Sequence, residues 1–522
     1  MDLQHTTQTW MLPSKDLLLV TAPFTYTFGP SMAPALLKAC AEQAGFSAVA
    51  WDLSAEFNLK FENTAQYKDI ILWMQHPEIL PPIVAFNWYQ TIVEEYALRA
   101  IKYHTTSIAV SLLTQSSQRF AEDLCYYIRL HAPDIKIMLG GNSVNILQFQ
   151  YQKTWGQLMY DSKMCDCVIV GEGEHLLAKA LQENLEGVIF ADQLSNQELD
   201  AVPVPNYDDY DMTLYAPTEN TFWASTDNIK DVDTGPIFLV TGSKGCIKNC
   251  TFCDVANIWS KFRFRSGASV ANEIATLHEK YNARFFSFTD SLMNGGLRPF
   301  YEMNVALLER IPGAIKYEGQ MICRGREDMP EKYFKIMAEA GCFNVNIGIE
   351  SGSESVRKHM GKGSTNADVA YSTEMFTKYG INQSWNIIAG YPTETEEDWQ
   401  DTMQLIKTWV PQTNGLLKIY PIDTFLILPD TPIARSELYS LLDLNQENIN
   451  GYSDFVWTSG ANPSNTYDVR ARRFIELCEL VLDYTSDSVN RERLTTKIEM
   501  TNKKLEWYHA NKKQKIFSIA QS

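Results

Sequence analysis

Cysteine and positive charge are scarce in this sequence, and long apolar runs are missing. Ten Cys in 522 residues are too few for a disulfide scaffold. Lys and Arg number 45 against 63 Asp and Glu, a formal net charge of −18. A general nucleic-acid binder leans basic, so nucleic acid is not an expected partner. Met1 to Trp10 carries no basic patch followed by an apolar core and does not read as a signal peptide. The longest early uncharged run, Leu17 to Leu37, is broken by Pro23, Gly29, Pro30 and Pro34, so no membrane span is expected there. The expected compartment is therefore the cytoplasm, where thiols stay reduced and are free to bind metal. Internal repeats and low-complexity tracts are also missing. What is present, 45% hydrophobic and 21% charged residues, is the profile of a globular protein with a sizeable core.

The first 200 residues alternate β-branched runs with helical stretches, the mark of βα units around a parallel sheet. Strands are predicted at Leu17–Val20, Ala48–Trp51, Ile108–Leu112, Ile135–Leu139 and Cys167–Val170, with a helix at Ala35–Ala44 and a mostly helical insertion over 55–105. The loops after these strands carry Asp52, Ser111-Leu112-Leu113, Gly140-Gly141 and Gly171-Glu172-Gly173-Glu174. In a doubly wound sheet such strand ends form one crevice, suited to a nucleotide-like ligand. Residues 201–234, rich in Pro, Asp, Asn and Tyr, read as a linker. A second series follows, with strands predicted at Ile237–Thr241, Phe285–Thr289, Ile315–Met321, Phe343–Ile349, Ser384–Ala389 and Leu416–Tyr420. Helices are predicted between them at 268–281, 298–310, 330–340, 366–379 and 395–408. Six such units imply a partial or complete barrel with its site on the C-terminal strand edge. From about residue 440 the chain reads as mostly helical, most clearly over Val469–Tyr484.

Directly after the first strand of the second series, Cys246, Cys250 and Cys253 fall within eight residues on a Gly-opened loop starting at Gly242. Thiolates at spacings of four and three can wrap one metal centre from a single loop. A structural zinc site is closed and tetrahedral and needs a fourth ligand; the next candidates in sequence are His278 and Cys323. Three ligands with one open position suit a [4Fe–4S] cluster whose fourth iron binds a substrate. Zinc, or core cysteines without metal, are the alternatives.

With Phe252 before its last Cys, this CxxxCxxC run resembles the signature of the radical S-adenosylmethionine (radical SAM) superfamily. Arg265-Ser266, Phe288-Thr-Asp290-Ser, Gly348-Ile-Glu350-Ser-Gly and Gly390-Tyr-Pro-Thr-Glu394-Thr resemble further segments of that family. Their order resembles the subgroup with an N-terminal cobalamin-binding-like domain, which includes methylases and the anaerobic magnesium-protoporphyrin cyclase. The resemblance implies a [4Fe–4S] cluster on Cys246, Cys250 and Cys253 and SAM on its open iron. It also implies an external reductant such as flavodoxin or ferredoxin, and a 5′-deoxyadenosyl radical that abstracts hydrogen from substrate. The cofactor carries the hard chemistry while the barrel orients it. SAM would then lie against Phe252. Glu350 would meet its ribose hydroxyls, as acidic residues do with other nucleoside cofactors; the plainer reading is a strand-end carboxylate at a helix start. Asp290 and Arg324 would meet the SAM amino and carboxylate groups, or form structural ion pairs.

In the N-terminal domain, Ser111-Leu112-Leu113 resembles the SxL segment of cobalamin-binding proteins and Gly140-Gly141 their GG segment. Gly171, Glu172 and Gly173 would let the backbone approach the ligand. Where cobalamin-dependent mutases carry DxHxxG, this chain has Asp52-Leu-Ser54-Ala-Glu-Phe57, without the lower-ligand His. Cobalamin would be held without a protein imidazole, or the domain would have lost it. Cys40, Cys125, Cys165, Cys167, Cys342 and Cys478 read as small core residues. Arg491, Arg493, Lys497, Lys503, Lys504, Lys512, Lys513 and Lys515 read as a solvated C-terminal helix rather than an RNA or protein contact.

The expected architecture is α/β: a Rossmann-like doubly wound sheet over 1–200, a linker over 201–234, a partial (β/α)6-type radical SAM barrel over 235–440 and a helical region over 441–522. The expected function is radical SAM chemistry, with cobalamin-dependent methyl transfer to an unactivated carbon. The alternatives are radical rearrangement or cyclisation without cobalamin chemistry, and a non-catalytic iron–sulfur or zinc protein. No catalytic side chain and no substrate can be named at this stage.

Overall fold

A computed structural model describes residues 15–23, 29–76, 79–148, 151–215, 235–428, 431–446, 456–486 and 488–519. Residues 216–234 of the expected linker, and Met1–Trp10, lie outside these. The described chain divides into two compact units, one reaching to Tyr215 and taking in Gly235–Leu239, the other running from Val240 onward. The C-terminal helices belong to the second unit by this division.

Six strands build the parallel sheet of the first unit: β1 (Leu17–Thr21), β2 (Ala48–Trp51), β3 (Ser107–Ser111), β4 (Lys136–Gly140), β5 (Cys167–Val170) and β6 (Gly187–Phe190). They pair in parallel in the order β2-β1-β3-β4-β5-β6. Successive side chains of a strand point to opposite faces, and both faces are covered. Leu18, Val20, Ile108, Val110, Ile137 and Leu139 join one apolar layer. Leu17, Leu19, Ala109, Met138 and Ile169 join the other. A parallel sheet buried on both sides needs such continuous aliphatic strands. The first layer is completed by the 55–105 insertion, which forms helices Leu53–Phe61, Ala65–Gln75 and Ile83–Ile101. Its aromatic rings meet edge to face, among them Trp73 with Tyr89 and Phe57 with Phe120. The strand order reverses at β1, so the crevice lies beyond the C-terminal ends of β1 and β3.

The second sheet runs in sequence order through β7 (Ile237–Val240), β8 (Phe285–Phe288), β9 (Lys316–Met321), β10 (Cys342–Glu350), β11 (Asn382–Ala389) and β12 (Leu417–Thr424), with β7 and β12 at its edges. Helices Gly267–Tyr281, Leu297–Arg310, Glu331–Glu339, Asn366–Lys378 and Glu396–Gln412 lie between successive strands. Thr365 and Thr395 start two of them with reciprocal capping boxes. Tyr317 reaches Asn304 of the Leu297–Arg310 helix and Gln383 reaches Thr373 of the Asn366–Lys378 helix. Glu318, Asn344, Asn346 and Ser384 therefore occupy the opposite face, where they bond to one another. The chain ends in helices Tyr467–Tyr484 and Ser488–Ile519, preceded by an unanticipated small ladder of Leu444–Gln446 with Trp457–Ser459. No helix among the described residues is long and apolar enough to cross a membrane.

Candidate functional site

The loop after β7 opens on Gly242 and Ser243 and carries the three cysteines. Cys246, Cys250 and Cys253 are half-buried, whereas the other seven cysteines are buried. That separates the three from the core thiols, as the sequence suggests. Asp290, just past β8, anchors the loop at its start. Gly242 N–H donates to Asp290 Oδ1 at 2.8 Å, and the Ser243 hydroxyl donates to Oδ2 at 2.5 Å. Burial pushes the Asp290 carboxyl up to about 6 against these hydrogen bonds. Both oxygens are thus engaged by the protein itself.

Farther along, Cys253 N–H bonds to the Cys250 carbonyl at 3.2 Å, closing a tight turn. Thr251 N–H reaches the Met360 carbonyl at 2.9 Å, and the Thr251 hydroxyl lies 2.9 Å from that of Tyr391. Phe252 packs edge to face on Phe425, 6.4 Å between centroids. Burial pushes the Cys250 thiol up to about 11, with Lys362 acting in the other direction. Among the described residues, no three His, Cys, Asp or Glu side chains are placed to hold a single metal ion.

Glu350 ends β10 in the left-handed region, at φ +65°. Its Oε1 lies 2.7 Å from Lys362 Nζ, which also donates to the Gly348 carbonyl at 2.9 Å. Glu350 Oε2 has no hydrogen-bond partner among the described residues. Burial opposes charge on Lys362, but Glu350 and Cys250 outweigh it and hold the ammonium above the usual lysine range. Arg324, just past β9, donates through Nη2 to the Asn294 carbonyl at 2.9 Å, and its Nε is buried without a partner. Among the described residues, Arg324 Nε is buried without a partner and Glu350 is bonded through Oε1 alone, whereas both Asp290 oxygens are engaged.

The Gly390–Thr395 segment beyond β11 is locked from the helix Tyr467–Tyr484. Glu394 Oε2 accepts from Gly390 N–H at 2.8 Å and from Arg473 at 3.0 Å. Burial still pushes the Glu394 carboxyl up to about 7.

In the first unit, Thr21 and Ser111 are register partners at the C-terminal ends of β1 and β3. Among the described residues, the buried Thr21 hydroxyl has no partner, nor does that of Ser143 just after β4. The Ser111 hydroxyl has none among the described residues. Other expected cobalamin contacts are used internally. Leu112 is fully buried in the core. Glu172 accepts from Leu194 N–H at 2.7 Å. Gly140 ends β4, Gly171 follows β5, and Gly173 begins the helix Gly173–Gln182. Gly141, at φ +97°, makes room for protein, since a Cβ there would lie 2.2 Å from the Leu112 carbonyl oxygen. Asp52 accepts from Ala55 N–H, Ser31 N–H and the Tyr215 hydroxyl, and Ser54 is fully buried in the helix that follows.

The radical SAM superfamily profile matches residues 240–406, a span that begins at the cysteine loop and ends beyond Glu394. Residues 240–406 are a radical SAM domain. An uncharacterized methyltransferase of Pyrococcus horikoshii is 28% identical over 271 residues, 48% of this chain and 54% of its own length. The anaerobic magnesium-protoporphyrin IX monomethyl ester cyclase of Rubrivivax gelatinosus is 21% identical over 53% of this chain and 50% of its own. The chain thus spans about half the length of these curated relatives. Among solved structures, the radical SAM methyltransferase TsrM of Kitasatospora setae, with cobalamin and a [4Fe–4S] cluster bound, aligns at TM-score 0.56 and 15% identity. That alignment covers 88% of this chain and 82% of that one. The cobalamin-dependent SAM radical enzyme OxsB aligns at TM-score 0.58 and 15% identity, covering 94% and 71%. At such identities the likeness is one of fold, and it extends beyond the radical SAM domain into the N-terminal unit.

Several residues of the two units carry little signal in the sequence. Thr21 reads as one more strand residue, and Arg473 as a charge on an amphipathic helix. Lys362 carried a usable signal, a lysine between two glycines, Gly361 and Gly363.

Proposed function

We propose that the chain is a cobalamin-dependent radical SAM methyltransferase acting on an unactivated carbon. Cys246, Cys250 and Cys253 would hold the [4Fe–4S] cluster. SAM would lie against Phe252, with Glu350 Oε2 toward its ribose and Arg324 toward its carboxylate. Cobalamin would sit at the β1/β3 crevice, against the hydroxyls of Thr21, Ser111 and Ser143 and the strand ends at Gly140 and Gly171. When bound, the cluster with SAM supplies reductive cleavage of a carbon–sulfur bond and hydrogen abstraction, and cobalamin supplies the methyl transfer.

The chain's own residues do the holding. Asp290 fixes the start of the cysteine loop through Gly242 and Ser243, so a SAM contact there would add to oxygens that are already engaged. Lys362 pins Oε1 of Glu350 and leaves Oε2 for a ligand. Radical SAM enzymes draw their electrons from an external reductant; for this chain a flavodoxin or ferredoxin is the proposed donor. The observation that carries the reading is the pairing of two features in one chain. One is a three-thiol loop on a sequential parallel sheet; the other is a β2-β1-β3-β4-β5-β6 sheet with the buried Thr21 hydroxyl at its switch point and that of Ser143 after β4 unpartnered among the described residues. Neither zinc storage nor simple electron transfer would need the second.

The test is cobalamin retention by protein purified anaerobically with hydroxocobalamin supplied. Stoichiometric retention is expected, with an electron paramagnetic resonance (EPR) spectrum after one-electron reduction that shows no nitrogen splitting from a lower ligand. Ser54 replaces the usual imidazole, and a hydroxyl is a poor ligand for cobalt. Failure to retain cobalamin would remove the methyltransferase reading in favour of rearrangement or cyclisation.

A further inference from the structure

Lys362 sits where a lysine is hard to explain by stability alone. Its side chain is 12% exposed, and that of its partner Glu350 8%. A buried ion pair rarely stabilises a fold better than apolar residues of the same volume. The pair is also tied to the three-cysteine loop from two directions. Met360 accepts from Thr251 N–H, and a Cβ on Gly361, at φ +79°, would stand 2.9 Å from the Asn249 carbonyl oxygen and 3.4 Å from Cys250 Cα. Only glycine lets this turn lie so close to the loop. The Lys362 ammonium is 5.6 Å from the centroid of Phe252, the residue between Thr251 and Cys253.

A cluster held by three thiolates is an anionic centre, and its potential depends on nearby charge and solvent exposure. A cation in a dry setting acts on such a centre far more strongly than it would in water. We propose that Lys362 is an electrostatic positioning residue for the three-cysteine centre: its ammonium favours the reduced state, and Glu350, bonded to it, acts in the opposite direction. The inference rests on the cluster reading above. It adds a pair of residues of opposite sign that tune when the centre accepts an electron.

The experiment is an EPR-monitored redox titration of the anaerobically reconstituted protein without SAM. Lys362→Met should lower the midpoint potential. At the wild-type midpoint the ratio of reduced to oxidised cluster should drop at least tenfold, ~59 mV for a one-electron couple. Glu350→Gln should raise it, Lys362→Arg should stay near wild type, and the uncharged Lys362→Met/Glu350→Gln pair should return toward it. Mere loosening of the loop would move both single variants in the same direction. That outcome, or a wild-type midpoint in Lys362→Met with full iron content, would overturn the proposal. Should Lys362→Met fail to hold iron, an unchanged or lowered midpoint in Glu350→Gln would overturn it equally. A wild-type protein that takes up no iron would instead sink the cluster reading itself.

Discussion

Ser243 gives its hydroxyl to Asp290 across 2.5 Å, joining the first residues of the cysteine loop to the end of the neighbouring strand. A strand-end carboxylate of this kind looks like a ligand contact until its partners are seen. Asp290→Ala would leave Gly242 N–H without its acceptor and Ser243 with only its 3.2 Å contact to the Leu292 carbonyl, at a cost of about 1–3 kcal/mol. Iron retention should fall, while SAM affinity per cluster formed should hold. A variant with full iron and weakened SAM binding would return Asp290 to the role of a direct SAM contact.

Glu350 makes the complementary case. Glu350→Gln should keep its cluster but bind SAM about 1–3 kcal/mol more weakly, the scale of a lost charge-assisted hydrogen bond. Titrating SAM against the EPR signal of the reduced cluster measures this directly. Unchanged affinity would make Glu350 a structural partner of Lys362 only.

Arg473 and Glu394 form a pair with almost no exposure, 6% and 0% by side chain. Arg473→Ala strands a buried carboxylate and should destabilise the second unit by roughly 3–5 kcal/mol, the range for breaking such a pair from one side. Arg473→Ala/Glu394→Gln should recover part of that loss. Thermal unfolding of the three proteins decides it, and additive losses would argue against a coupled pair.

A pH effect should come from Glu318, buried on the inner face of the second sheet. Burial raises its carboxyl from 4.5 to about 7, against hydrogen bonds from Asn344 and Ser287. Between those values the folded chain keeps a proton that the unfolded chain has lost, so this contribution is full below about 4.5 and fades as the pH rises to about 7. Gln mimics the protonated carboxyl. Glu318→Gln should therefore be more stable than wild type at pH 8 by about 1–3 kcal/mol, with the difference vanishing by about pH 4. Melting temperatures at the two pH values test the sign; a variant less stable at both contradicts it.

The first sheet is legible in the sequence because its strands are buried on both faces and read as aliphatic runs. The edge strand β6, Gly187–Phe190, escaped notice because it is short and half-exposed. The three cysteines announce themselves by spacing, since one loop must supply all three. Lys362 does not, because its partner Glu350 lies twelve residues away on β10 and only the folded turn brings them together. Arg473 is hidden for a related reason: a charged residue on an amphipathic helix reads as solvated until its burial against Glu394 is known. Gly141 has a structural use that the sequence does not show: a Cβ there would meet the carbonyl oxygen of Leu112.

The central claim is that Cys246, Cys250 and Cys253 hold a four-iron cluster with an open position. Iron, sulfide and zinc analysis after anaerobic reconstitution tests it most directly. About four iron and four sulfide per chain are expected, with the broad visible absorption of a [4Fe–4S] centre, lost when any one of the three is changed to Ala. Stoichiometric zinc without iron uptake would contradict it.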